Sequence, residues 1–147
     1  MYRIGQIAKL AGVTPDTIRY YEKQNMMSHD VRTEGGYRLY TEQDLQRLKF
    51  IRYAKQLGFT LESIAELLSI RVEPEQHTCQ ESKSIVEARL AEVEQKLEEL
   101  EKMRTSLRRL SDACCGKAHS SAYCSILEAL EQGATSNLPR VDLRKKR

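Results

Sequence analysis

Five of the seven Cys and His residues in this 147-residue chain are candidate ligands for a soft divalent metal ion. Cys79 stands alone, whereas the other four fall within a stretch of eleven residues: Cys114, Cys115, His119 and Cys124. Thiolates combined with an imidazole favour tetrahedral zinc. The plainer interpretation, that these are ordinary small buried residues, fits five of them in this pattern poorly. His29 and His77 are interpreted as surface residues.

A long helix must position these side chains, because helical spacing fills the chain between Cys79 and the cluster. Thr78 and Glu81 have the capping-box spacing of a helix start, and no Gly or Pro follows before Gly116. Apolar residues recur at steps of three and four: Val86, Leu90, Val93, Leu97, Leu100, Met103, Leu107 and Leu110. A seam this narrow on a helix this long predicts a coiled coil with a second copy of the chain.

The length of this helix decides how the ligands can meet. At a rise of ~1.5 Å per residue, Cys79 and Cys114 of one chain lie about 50 Å apart. They cannot share a site within one chain, but antiparallel pairing brings Cys79 beside the partner's cluster. We therefore expect two symmetric metal sites per dimer, each built from both chains.

Counting ligands indicates how many ions each site holds. Four thiolates and one imidazole exceed the four positions of a single zinc ion. If the Cys79 thiolate bridges two ions, the five side chains supply six of about eight bonds, and water or an oxyanion such as phosphate supplies the others. Four thiolates also balance the charge of two dications. The count favours two zinc ions per site over one.

The N-terminal part of the chain has the pattern of a helix-turn-helix. A short apolar helical face ends at Gly12, after which Thr14 caps a second helix that has Pro15 at its first position. Side chains of this second helix are candidate contacts to DNA phosphates or base edges: Thr17, Arg19 and Tyr20. Tyr21 suits a core position as well as it suits the DNA surface.

A hairpin is predicted over residues 31–40, where alternating residues flank Gly35 and Gly36. A hairpin after a helix-turn-helix is a wing, so Tyr37 and Arg38 are predicted phosphate contacts. Arg32 is a further candidate. Thr41 and Thr60 then start two helices, the first of which ends near Gly58. Four basic residues of the first of these helices are interpreted as a solvated face, with one or two of them near DNA: Arg47, Lys49, Arg52 and Lys55.

Charge divides the chain in the same way as these motifs. Residues 1–60 hold ten Lys and Arg against six Asp and Glu, whereas residues 61–113 hold eight against twelve. A basic head on an acidic spacer is typical of a nucleic-acid-binding protein. The chain has no run long enough to cross a membrane and no signal peptide, so it is interpreted as cytoplasmic, without a membrane partner. The predicted domains are a DNA-binding head, a dimerisation helix, a metal loop with a short helix, and a disordered basic tail: 1–76, 77–113, 114–133 and 134–147.

These motifs together resemble a known family. The stretch from Tyr2 through IRYYEK, TEGGYRLYTEQDLQRLKFI and LGFTLESI resembles the MerR-type transcription regulators. The later stretches HTCQES and DACCGKAHSSAYCSILEALEQG resemble the zinc-responsive members of that family. The resemblance implies a mostly α-helical fold with a winged helix-turn-helix head, a long antiparallel coiled-coil dimerisation helix, and a C-terminal metal-binding loop with a short helix.

The resemblance also implies a function. A homodimer binds double-stranded promoter DNA between two elements spaced too far apart for RNA polymerase. Metal binding then bends and untwists this DNA, and a metal-export gene is activated. The resemblance places Cys114 and Cys124 on one zinc ion, and Cys115 and His119 on the other. Copper-type relatives lack Cys79, so its presence favours an ion of charge +2 over one of charge +1.

Two other functions compete with this interpretation. In the first, zinc serves only as a staple for the folding of a DNA-binding protein. In the second, the chain is an enzyme, either a zinc hydrolase or a thiol oxidoreductase. No H-E-x-x-H motif occurs, and Cys114 and Cys115 are adjacent instead of having the C-x-x-C spacing. The sequence therefore argues against an enzyme, and removal of zinc with a chelator would identify a staple.

Overall fold

The computed structural model describes residues 1–28, 32–114, 116–118 and 120–133. The elements, in chain order, are β1 (Tyr2–Arg3), α1 (Ile4–Ala11), α2 (Pro15–Lys23), β2 (Leu39–Tyr40), α3 (Glu42–Gln56), α4 (Leu61–Val72), α5 (Cys79–Ala113) and α6 (Ser125–Glu131). Short 3₁₀ turns occupy Pro74–Gln76 and Ser121–Tyr123. The chain divides into two compact units, Met1–Arg89 and Leu90–Arg147. Within the described part of the chain, no helix is both long and apolar enough to span a bilayer.

The predicted helix-turn-helix is confirmed as α1 and α2. Gly12 ends α1 in the left-handed conformation, at φ +71°, which a residue without Cβ adopts at little cost. Thr14 then caps α2, because its hydroxyl oxygen accepts a hydrogen bond from the Thr17 backbone N–H at 3.1 Å. Pro15 occupies the first turn, where N–H groups have no carbonyl partner within the helix, so the missing N–H of proline costs no hydrogen bond.

The wing is a hairpin tied to the N-terminus of the chain. Arg32 and Arg38 form an antiparallel bridge around a turn in which the Gly36 N–H donates to the Thr33 carbonyl at 2.9 Å. Strand β2 continues the hairpin and pairs antiparallel with β1, so that Tyr2 lies opposite Tyr40. Strand β1 is not predicted from the sequence, because a strand of two residues is too short to show alternation. Val31, at the start of the predicted hairpin, lies outside the described residues.

Helices α1 to α4 and strand β2 enclose one hydrophobic core in the first unit. Ile7, Ile18, Leu48 and Ile64 are completely buried, and Tyr21 is buried as well. Ile85, from the second turn of α5, packs against the same core. The first turns of α5 therefore belong to the packing unit of the head, which runs to Arg89. The domain boundaries predicted at 76, 113 and 133 remain predictions.

Two arginine side chains of helix α3 form hydrogen bonds to the C-terminal ends of the two helices of the helix-turn-helix. Arg47 Nε donates to the Met26 carbonyl at 2.5 Å, just beyond α2, and Arg52 Nη1 donates to the Ala11 carbonyl at 3.3 Å, at the end of α1. Both arginines are half-buried. Their interpretation as part of a solvated face is wrong. The spacing of residues in α3 cannot show that carbonyl groups at the ends of α1 and α2 need hydrogen-bond donors from another helix.

Helix α5 begins and ends close to where the sequence predicts. The Glu81 carboxylate accepts a hydrogen bond from the Thr78 N–H at 3.1 Å, as in a capping box. The helix continues for 35 residues to Ala113. Ser120 caps the short 3₁₀ turn that precedes α6, and Cys124 occupies the N-cap position of α6.

Candidate DNA interface and metal centre

The exposed face of α2 carries the three side chains predicted to contact DNA. Tyr20 is exposed, whereas its neighbour Tyr21 is buried in the core. Arg19 Nη1 pairs with Asp16 Oδ1 at 2.8 Å, and both side chains are well exposed. Exposed ion pairs contribute little free energy, so this pair leaves Arg19 available for a phosphate. The Thr17 hydroxyl lies 2.8 Å from the Thr14 hydroxyl at the start of the helix.

The wing presents a second exposed group. Tyr37 is 64% exposed, and the Arg3 guanidinium lies 5.4 Å from the centre of its ring, within the range of a cation–π contact. Arg32 Nη1 donates to the Gly36 carbonyl at 3.0 Å, across the hairpin turn. Arg3 could not be predicted as part of this surface, since its proximity to the wing depends on the pairing of β1 with β2.

Arg38 has a different environment from the other predicted contacts. Its Nη1 lies 2.6 Å from Glu22 Oε2, and the Glu22 side chain is only 3% exposed. The Tyr40 hydroxyl donates to the other Glu22 oxygen at 2.5 Å. Burial raises the pKa of Tyr40, and the hydrogen bond to Glu22 raises it further. Recognition helix α2 and the wing are thus joined by a buried carboxylate.

Glu22 was not singled out from the sequence, although a signal was present. It stands four residues after the buried Ile18, and residues at that spacing share one face of a helix. Arg38 remains a predicted phosphate contact, because a guanidinium has five N–H donors and Glu22 occupies only part of them. The structure adds a second role for Arg38, as the partner of a buried charge.

The cluster beyond α5 brings two of the predicted metal ligands together. Cys114 Sγ and Cys124 Sγ lie 4.0 Å apart, and both side chains are half-buried. Two thiolates bound to one tetrahedral zinc at ~2.3 Å would be separated by about 3.8 Å. The pair is therefore spaced for one ion without large movement. These donors fit zinc in both chemistry and separation.

The backbone around Cys124 favours its thiolate. The N–H groups of Leu127 and Ile126, in the first turn of α6, lower the pKa of the Cys124 thiol. A thiolate is the form that binds metal. Cys115 and His119 lie outside the described residues. Among the residues that are described, no three Cys, His, Asp or Glu side chains form a cluster suited to a metal ion.

Cys79 is an exposed free thiol at the first position of α5. Beside it, His77 Nδ1 lies 2.8 Å from Glu81 Oε2, so this histidine is engaged with the helix start. Thirty-five helical residues run from Cys79 to Ala113, just before Cys114. The assignment of Cys79 to the metal site therefore remains a prediction that requires a second chain.

Two family models match the chain. Residues 2–70 match the model described as MerR HTH family regulatory protein, and residues 45–110 match the model described as MerR, DNA binding. Together they cover the helix-turn-helix, the wing, α3, α4 and most of α5. The matched residues include every residue predicted to contact DNA, and the second match ends shortly before the cysteine cluster.

Individual relatives agree with these models. The chain is 76% identical to the HTH-type transcriptional regulator ZntR of Escherichia coli K12 over 135 residues, which is 92% of this chain and 96% of the relative. Its fold resembles the crystal structure of the transcription regulator PbrR691 from Ralstonia metallidurans CH34 in complex with lead(II), with a TM-score of 0.76, 38% identity, and coverage of 88% of this chain and 99% of the other. It also resembles the cryo-EM structure of the EcmrR–DNA complex in EcmrR-RPo, with a TM-score of 0.60, 26% identity, and coverage of 76% and 38%.

Proposed function

The chain belongs to the MerR family of helix-turn-helix regulatory proteins, and from this premise we propose that it is a zinc-responsive transcription activator. The observation that carries the proposal is the pair of free thiols, Cys114 and Cys124, held 4.0 Å apart beyond the end of α5. The 76% identity to ZntR supports zinc as the metal. Since its relatives are transcription regulators, the protein is not an enzyme.

The head binds promoter DNA through α2 and the wing. In a helix-turn-helix, the second helix enters the major groove, so Arg19 and Tyr20 face base edges and phosphates. Thr17 lies in the first turn of the same helix. Tyr37 and Arg38 of the wing contact the phosphate backbone of the DNA beside that groove. We propose that the protein acts in the cytoplasm on DNA that RNA polymerase also occupies, as the EcmrR complex suggests.

The dimer forms along α5. Five apolar side chains of the seam are each about half exposed in the single chain: Val86, Leu90, Leu97, Leu100 and Leu107. At about 25 cal/mol per Å² of apolar surface removed from water, a partner helix over this seam supplies several kcal/mol. A second copy of the chain, running antiparallel, covers the seam and brings its Cys79 to the cysteine cluster of the first copy.

Each metal site then contains residues of both chains. Cys114 and Cys124 would hold one zinc ion and Cys115 and His119 a second, and the partner's Cys79 would be the ligand that both ions share. Water or an oxyanion would fill the positions that the side chains leave open. Bound zinc supplies a rigid crosslink between the end of α5, the start of α6 and the partner chain.

Activation works through the shape of the DNA. The head has its own caps and core, so the apo protein binds the operator without metal. In the metal-bound dimer the two heads take a new orientation, and the DNA between the promoter elements is bent and untwisted. RNA polymerase can then use both elements, and a metal-export gene is transcribed.

In-vitro transcription from the cognate promoter across a buffered zinc series tests this proposal. We expect transcription to rise with zinc, while footprinting shows similar protection with and without metal and altered reactivity at the centre of the site. A hundredfold loss of operator binding after chelation, about 2.7 kcal/mol, would instead identify zinc as a folding staple. Cadmium and lead, run alongside, define the metal preference.

A mixed dimer tests whether sites are shared between chains. One chain carries Cys79→Ser and the other carries Cys114→Ser with Cys115→Ser, so one shared site contains every change and the other is intact. We expect zinc at one site of the mixed dimer and at neither site of either parent homodimer. If each chain built its own site, both sites of the mixed dimer would be damaged, and no intact site would be recovered.

A further inference from the structure

An arginine of α5 caps the C-terminal end of α3. Arg89 Nε donates a hydrogen bond to the Leu57 carbonyl at 3.0 Å, and Leu57 is the C-cap residue of α3. The last carbonyls of a helix lack partners within the helix and carry partial negative charge. A guanidinium placed there satisfies one carbonyl and is attracted by the others. Arg89 and Leu57 lie in the same compact unit, although they are 32 positions apart in sequence.

The backbone conformation and the nearby guanidinium both favour glycine beside this contact. Gly58 follows the C-cap with φ +81°, and a Cβ built on it would collide with the Arg89 guanidinium. The same arrangement recurs at the end of α1, where Gly12 has φ +71° and a Cβ would collide with the Arg52 guanidinium. In that case the donor arginine comes from α3. We call each arrangement an arginine–glycine cap.

The close approach is specific to these two glycines. Gly36, Gly116 and Gly133 also have positive φ, but a Cβ on any of them would have no heavy atom within 4 Å in the described part of the chain. The two arginine–glycine caps therefore form a series: Arg89 joins α5 to the end of α3, and Arg52 joins α3 to the turn of the helix-turn-helix. Ile85, one helical turn before Arg89, packs against the core and adds an apolar anchor on the same side of α5.

We propose that Arg89 is a positioning residue that makes the first turns of α5 and the head move as one body, so that metal binding reorients the helix-turn-helix. The inference rests on the proposed function, since it concerns how the metal-dependent change reaches the DNA. Without this cap, the start of α5 would keep the packing of Ile85 against the core but could turn without carrying α3 with it. Arg89 contacts neither DNA nor metal in this proposal.

Arg89→Gln in the full-length protein tests the proposal, with Arg104→Gln as the matched control. Arg104 is an exposed arginine further along α5. For Arg89→Gln we expect zinc stoichiometry unchanged, operator affinity within about threefold of the original, and zinc-dependent transcription reduced at least tenfold. Arg104→Gln should retain activation. Arg89→Lys, which keeps a charged donor, should recover part of it.

A second variant disrupts the same contact from its glycine side and is compared only where it folds. Gly58→Ala displaces the guanidinium without removing it, so it should lose zinc-dependent transcription as Arg89→Gln does. The double variant that combines Gly58→Ala with Arg89→Gln should activate transcription as much as Gly58→Ala alone. Circular dichroism and zinc stoichiometry identify the folded variants. Full zinc activation in a folded Arg89→Gln or Gly58→Ala protein overturns the inference and leaves the proposed function intact. If the unaltered protein itself fails to respond to zinc, the proposed function fails, and the inference fails with it.

Discussion

Removal of the Arg38 side chain should destabilise the head, because Arg38 is the charged partner of a buried carboxylate. In Arg38→Ala, the Glu22 carboxylate keeps the Tyr40 hydroxyl as its one side-chain donor among the residues that the structure describes. Glu22 cannot reach water without movement, since its side chain is 3% exposed. The energetic cost of the substitution therefore comes mainly from the charge left behind.

The magnitude follows from the exposure of the two partners. Breaking a buried ion pair by removing one member costs about 3–5 kcal/mol. Arg38 is 31% exposed, so solvent screens part of the interaction, and we expect a loss near the lower end, about 3 kcal/mol. Glu22→Gln combined with Arg38→Ala leaves no charge buried. This double variant should therefore be more stable than Arg38→Ala alone, by about 1–2 kcal/mol.

Urea unfolding at one fixed protomer concentration measures these differences, because the stability of a dimer depends on concentration. Arg19→Ala is the matched control. Its pair with Asp16 is exposed, so its loss should be within about 0.5 kcal/mol. A loss below about 1 kcal/mol for Arg38→Ala, or a double variant less stable than Arg38→Ala, would refute the argument from the buried charge.

Binding to the operator separates the two roles of Arg38. If Arg38 also contacts a phosphate, as its place in the wing predicts, Arg38→Ala reduces the salt dependence of log K by about one unit. If it only positions the wing, affinity falls with the salt dependence unchanged. We expect the reduced slope, and an unchanged slope removes Arg38 from the list of DNA contacts.

Three further predictions concern other parts of the chain. The pKa of Tyr40 is raised in the folded state, so its contribution to stability is complete below the unfolded pKa of about 10 and is lost above it, at up to about 1.4 kcal/mol per pH unit. Tyr40→Phe should therefore make the loss of stability at alkaline pH shallower. An identical loss in this variant would contradict the raised pKa of Tyr40. Arg19→Ala should weaken binding to all DNA sequences about equally and reduce the salt slope by about one, whereas selective loss at one base pair would indicate base readout instead. Zinc should protect Cys114 and Cys124 from maleimide, as measured by peptide mass spectrometry, and equal labelling with and without zinc would exclude both as ligands.

Helix starts were the features best predicted from sequence, because a cap is decided by a few neighbouring residues. Thr14, Thr41 and Thr60 each accept a backbone N–H three residues later, as their spacing predicts. Strand β1 could not be found in this way. Its partner β2 lies far along the chain, and two residues contain no periodic signal. The arginine contacts of α3 and α5 were missed for the same reason, since they join side chains to distant carbonyl groups.

In the candidate site, too, contacts between residues close in sequence could be predicted, and contacts between distant residues could not. The proximity of Cys114 and Cys124 follows from their short separation in sequence and the turn between two helices. Glu22 and Arg38 are sixteen residues apart on different elements, and only the packed head brings them together. The role of Cys79 depends on a second chain, so neither the spacing nor the fold of one chain decides it.

Helix α6 has a consequence for how sensitively the protein detects metal. It has only seven residues, and Cys124 occupies its N-cap position. Isolated helices shorter than ~12–15 residues are marginal in water, so α6 depends on what holds its ends. If Cys124 binds zinc, the measured affinity includes the free energy of ordering α6. The zinc concentration at half response can then be tuned by residues of α6 that never contact the metal, so selection can adjust the threshold while the coordinating atoms stay the same.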